Sequence, residues 1–108
     1  MANALDLFSI PSGLSLGKRY KAVSASYTTL VADEIVGVSG ASVTITLADT
    51  CKWPGKIFTI KDVGGAAGTS PITVTPQSGN LDGSSNYILN LNYQAIDVFN
   101  DGTNWFVA

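Results

Sequence analysis

With 108 residues, the chain has room for one domain and one hydrophobic core. Its charged fraction of 13% lies well below the roughly 25% of ordinary soluble domains, and it carries a formal net charge of −2 with no histidine and a single cysteine. These totals exclude Ser–His and Cys–His nucleophilic pairs, a Cys/His zinc site, an intramolecular disulfide and a dense phosphate-tracking surface, so the chain reads as non-enzymatic, with no cofactor, no metal and no nucleic-acid partner.

Residues 1–19 read as an irregular N-terminal arm. Leu5, Leu7, Phe8, Ile10, Leu14 and Leu16 are apolar, while Pro11, Gly13 and Gly17 break any helix they would form. The start has no basic residue, Asp6 interrupts the apolar stretch and Pro11 ends it, which is not the pattern of a signal peptide. No run approaches the about 20 apolar residues a bilayer crossing needs. The expectation is a soluble product made in the cytoplasm, without a membrane partner. Apolar side chains on such an arm are expected to lie on their own domain or on a neighbour. The cluster Lys18-Arg19-Tyr20-Lys21 reads as a solvated junction or a docking contact to an acidic surface.

Residues 20–108 read as a knob domain built from period-2 segments. Tyr27–Ala32 is β-branched and aromatic, and Glu34–Ser39 follows. Ser42–Leu47 alternates, with Val43, Ile45 and Leu47 inward. Thr50–Gly55 is a loop, and Lys56–Val63 reads as a central strand. Gly64–Ser70 reads as a hairpin tip from which Pro71–Pro76 returns as an edge strand, because proline at both ends limits pairing. Ser78–Ser85 is a turn-rich link, followed by strands at Tyr87–Leu91, Tyr93–Phe99 and Thr103–Val107. The last two are joined at Asn100-Asp101-Gly102, a strong hairpin signal. The fold expected is all-β: a small antiparallel β-sandwich or β-roll.

The chemistry that remains is that of a surface. The carboxylates fall mostly at strand ends and turns, where Asp caps or bends the backbone. Cys51 reads as a small, semi-buried filler. Trp105 is expected in the core. Trp53, in a loop beside Pro54, reads as the more exposed aromatic, one that either anchors a partner or caps the sandwich. Tyr87 and Tyr93 are expected to pack. A surface this poor in charge is weakly protected against self-association, so copies of the chain or a partner are expected to cover it.

The order Tyr27–Val31, Ser42–Leu47, Gly55–Asp62, Ile72–Thr75, Leu81-Asp82-Gly83 and Asp101–Trp105 resembles a β-module of tailed-bacteriophage virion proteins. Such modules occur at the tips of tail fibres and tailspikes and, in similar form, as capsid decoration (cement) proteins. The resemblance spans roughly residues 20–107, and its short motifs are specific mainly through their order and spacing. It implies a homotrimeric, knob-like β-sandwich with a non-enzymatic role in the virion. No stalk of repeats precedes Tyr20, and Met1 opens what reads as a complete short product, which favours decoration. In that role a trimer sits on the outer capsid surface, and Leu5, Leu7, Phe8, Ile10, Leu14, Leu16 and Arg19 brace the major capsid protein. The alternative is a fibre or tailspike tip that binds a host-surface glycan or receptor through the loops at Gly64–Ser70 and Asn80–Asn86.

Overall fold

The computed structural model describes residues 17–108. It contains nine strands: β1 (Tyr20–Val23), β2 (Tyr27–Thr28), β3 (Ile35–Val38), β4 (Thr44–Leu47), β5 (Ile57–Asp62), β6 (Ile72–Pro76), β7 (Tyr87–Leu89), β8 (Ala95–Asn100) and β9 (Trp105–Val107). One turn of 3-10 helix, Asp49–Cys51, leads out of β4 towards Trp53. The strands form two sheets: five-stranded in the order β1-β3-β5-β8-β9, and four-stranded in the order β2-β4-β6-β7.

Strand alternation creates the core. Inward residues of the five-stranded sheet are Val36 and Val38, Phe58 and Ile60, Val98 and Trp105, all fully buried. Ile45, Leu47, Val74 and Leu89 of the four-stranded sheet join them in one cluster, closed at its margins by Cys51, Ala67 and Leu81. Each of the larger side chains contributes about 1.5–3 kcal/mol by leaving water. Phe58 and Trp105 meet with ring centroids 5.6 Å apart. The all-β, two-sheet expectation holds, as do the inward positions of Val43, Ile45, Leu47 and Trp105 and the central place of β5.

Antiparallel pairing holds only for the second half of the chain, in β5–β8, β6–β7 and β8–β9. The first half is parallel: β1 pairs with β3, β3 with β5, β2 with β4 and β4 with β6. From β1 to β6, consecutive strands alternate between the sheets, so each pair of strands makes one coil and the coils stack. Parallel neighbours need a crossover, and here the crossover is itself a strand of the opposite sheet. Gly64–Ser70 is therefore a passage between sheets and not a hairpin tip.

Two further expectations are corrected. The strand expected over Tyr27–Ala32 ends at Thr28, because Asp33 folds the chain back. Its carboxylate accepts the Leu30 N–H at 2.8 Å, and its own N–H donates to the Leu30 carbonyl at 3.0 Å. Strand β6 lies inside its sheet, between β4 and β7, despite Pro76. The N–H groups of Thr73 and Gln77 donate towards β4, so by the period of two the nitrogen of Pro76 faces the other side. There β7 pairs only with Ile72–Val74, and no ladder bond is lost.

Candidate functional site

The two sheets present very different outer faces. On the four-stranded sheet the outward positions are Thr28, Thr44, Thr46, Thr73 and Thr75, with Thr28, Thr46 and Thr75 in register across three strands, and exposed Ile88 of β7 opposite Thr73. On the five-stranded sheet, Ile57, Phe99 and Phe106 stand side by side, with the two phenylalanine rings stacked 5.5 Å apart. Ile57 is 47% exposed and Phe99 36%. Further along the same face lie Ile35 and the exposed Tyr20, whose ring covers Gly37 so closely that a Cβ there would fall 2.0 Å from its hydroxyl. The four-stranded face is thus mainly hydroxyl, whereas the five-stranded face carries one apolar row, of the kind that marks interaction sites, beside rows that include Thr59, Asp97 and Lys61.

At the margin of the apolar face is a depression of about 370 Å³ lined by Lys18, Arg19, Val31, Ala32, Glu34, Trp53, Gly55, Lys56 and Ile57. Backbone bonds fix its walls. The Arg19 carbonyl accepts the N–H groups of Ile35 at 2.9 Å and Glu34 at 3.3 Å, which clamps the segment before β1 to the start of β3. Gly55 donates to the Asn100 carbonyl at 2.8 Å and Lys56 to that of Trp53 at 3.1 Å, so the Trp53 loop is tied to the end of β8. Gly55 takes φ +89°, a turn conformation that suits glycine.

Lys56 spans the site. Its side chain is nearly buried, and the ammonium donates to the carbonyls of Asp33 at 2.8 Å and Val31 at 3.0 Å. It also lies over the rings of Phe58, at 4.6 Å from the centroid, and Trp53, at 5.5 Å. The lysine thus pins the Leu30–Asp33 turn against the first residues of β5. The wall groups are an indole, a guanidinium, two ammonium groups and a single carboxylate, a set suited to binding.

Of the residues expected to meet a partner, Arg19 and Trp53 come together here, and Trp53 is 39% exposed. Leu5, Leu7, Phe8, Ile10, Leu14 and Leu16 lie outside the described residues. Lys56, Val31 and Ile57 were not legible as site residues, since their segments meet only through the parallel pairing of β1, β3 and β5. A scan against protein-family models finds no match, and a search of curated proteins finds no relative.

Tyr93 departs from expectation in a different way. Expected to pack, it is 60% exposed and takes φ +63°, a conformation costly for a bulky side chain. Its N–H donates to Asp62 at 2.9 Å, its carbonyl accepts from the Lys61 ammonium, and its ring lies against Gly65, where a Cβ would clash at 2.4 Å. Buried Asp62 also accepts the N–H groups of Gly65 at 2.9 Å and Ala67 at 3.0 Å, so one carboxylate holds two loops at this end of the sandwich. Leu91, two residues before Tyr93, and Val63, next to Asp62, are also exposed.

Proposed function

We propose that this chain is a non-enzymatic structural protein of a tailed-phage virion: a decoration protein that sits as a homotrimer on the outside of the head, against the major capsid protein. The observation that carries the reading is the asymmetry of the two faces. The Ile57–Phe99–Phe106 row, continuous with the Arg19–Trp53 depression where the arm enters the fold, offers an apolar surface for a neighbour, while the opposite face is mainly threonine. A module docked through many modest contacts, repeated over a shell, stabilises it by avidity without any one strong bond. The low charge and the resemblance of residues 20–107 to virion β-modules support the same reading.

A second reading is a fibre or tailspike tip that binds a glycan or receptor. It is favoured by the rigidly presented Tyr93 beside the Gly64–Ser70 passage. Copy number separates the two. Quantitative mass spectrometry of purified particles should find hundreds of copies for decoration; a few or a few dozen copies would assign the chain to a fibre and overturn the decoration reading.

A further inference from the structure

We propose that the Arg19–Lys56–Trp53 depression is a receptor for a carboxylate side chain, presented by an acidic peptide segment of the docking partner. The inference rests on the docking reading of this surface and names the partner's chemistry. Charge is the first argument. The chain has six cations and eight carboxylates, yet the depression gathers three of the cations, Lys18, Arg19 and Lys56, and one carboxylate, Glu34. A chain that is acidic overall is locally basic at this point.

The second argument is how Lys56 is held. Its ammonium has three protons, and its two hydrogen-bond acceptors are neutral carbonyls, those of Val31 and Asp33. The faces of Phe58 and Trp53 add attraction without cancelling the charge. The Asp33 carboxylate, on the same turn, is engaged by the Tyr27 hydroxyl and the Leu30 N–H. Among the described residues the one ion pair is Lys52–Asp49, which is not part of this site. A nearly buried ammonium without a paired anion interacts more strongly with an arriving carboxylate than a solvated one does.

Geometry selects among anions. Arg19 is fixed at its backbone by two N–H donors, and its planar fork matches a carboxylate. Val31, Ala32, Ile57 and the Trp53 indole provide apolar walls for the methylene stem of a glutamate and the adjoining main chain. Glu34 in the wall repels a second negative charge, which disfavours a phosphate dianion. A volume of about 370 Å³ accommodates one or two side chains.

The test uses the whole chain, isotope-labelled, with two probes: the peptide acetyl-Gly-Glu-Gly-amide and its Gln counterpart. In low salt the Glu peptide should shift the Trp53 indole N–H and the Arg19 and Lys56 amides saturably, and the Gln peptide should bind at least about tenfold more weakly. Arg19→Gln, which keeps the backbone clamp, should weaken the Glu peptide by about fivefold or more with an unchanged melting temperature, and added salt should act in the same direction. Equal shifts from both peptides, no saturable shift, or no effect of Arg19→Gln would overturn the proposal. Inorganic phosphate binding as tightly as the Glu peptide would also overturn it, in favour of a phosphate site. Because the peptide titration needs no virion, it succeeds or fails independently of the copy-number measurement.

Discussion

Asn100 and Trp105 stand opposite each other across the β8–β9 hairpin, and each buries a nitrogen donor, Asn100 Nδ2 and Trp105 Nε1, that has no acceptor among the described residues. Asn100 is held by its other end, where Oδ1 accepts the Gly102 N–H at 2.7 Å and shapes the turn. The Trp105 side chain is held by ring packing, against Phe58 and the surrounding core.

This separates the ring from its N–H. Trp105→Ala should cost about 3–5 kcal/mol, because it empties the centre of the sandwich. Trp105→Phe should cost less than half of that, about 1–2 kcal/mol, since it keeps an aromatic against Phe58 and removes a buried donor that makes no bond. Urea unfolding of the two variants decides it. A Phe variant as unstable as the Ala variant would show that the indole N–H has a partner.

Asp62 gives a prediction in pH. Burial pushes its carboxyl up, but the N–H groups of Tyr93, Ala67, Gly65 and Ala66 together outweigh this and hold it below the ordinary carboxylate value. A group whose value is lowered on folding stabilises the fold above its unfolded value, about 3.9 for Asp, and that contribution is lost as pH falls through the folded value. Stability should therefore be flat in this respect near neutrality and fall below about pH 4. Asp62→Ala should cost about 3–5 kcal/mol at pH 7 by orphaning the hydrogen-bonded N–H groups of Gly65, Ala67 and Tyr93, and should flatten the acid limb of the stability curve. An acid limb unchanged in the variant would assign the pH dependence to other carboxylates.

Much of this architecture is legible in the sequence, and the limits have physical causes. Alternation identifies Val43, Ile45 and Leu47 as core because a strand repeats every two residues whichever neighbour it pairs with. For the same reason it is silent on the neighbour, so the parallel coils of β1–β6 were expected to be antiparallel hairpins. Pro76 suggested an edge because its missing N–H has a direction that only the register reveals. Trp53 and Arg19 were readable one by one, from a loop and from a charge cluster. Lys56 was not, because nothing local distinguishes a lysine that leads into a strand from one that bridges to a turn more than twenty residues away. Tyr93 was misjudged because its exposure depends on Asp62 and Gly65, distant in sequence.

Among the described residues, every core side chain lies between Val23 and Trp105. On the decoration reading, the chain without residues 1–16 should unfold cooperatively near the parent's melting temperature and keep the parent's oligomeric state, while losing its binding to phage heads. Normal binding of the truncated protein to heads, measured by co-sedimentation, would remove the arm from the mechanism.

Two glycines separate steric space lost to backbone from space lost to a side chain. A Cβ at Gly40 would lie 2.1 Å from the Ser24 carbonyl oxygen and 2.7 Å from its carbon, atoms that cannot rotate away. A Cβ at Gly37 would meet the end of Tyr20, which can swing off the outer face. Gly40→Ala should destabilise by about 1–3 kcal/mol, and Gly37→Ala by less than about 1 kcal/mol. The reverse order in a denaturant series would show that Tyr20 is locked in place and that the Ser24 segment is the one that yields.

Tyr27 closes the alkaline side. Burial, the hydrogen bond its hydroxyl donates to Asp33 and the negative charge of Asp33 push its phenol up to about 12. The neutral phenol is favoured by the fold, so this contribution is complete below the unfolded value, about 10, and is lost as pH rises through the folded value. A titration followed by phenolate absorbance should show a late step near pH 12 that belongs to the folded protein and is absent from Tyr27→Phe. The variant also leaves the Asp33 carboxylate with the Leu30 N–H as its remaining donor, which loosens the Leu30–Asp33 turn that Lys56 grips through the Val31 and Asp33 carbonyls. Tyr27→Phe should therefore weaken the Glu-peptide response of the Trp53 depression as well as remove the late step. An unchanged peptide titration would mean that Lys56 alone fixes that wall.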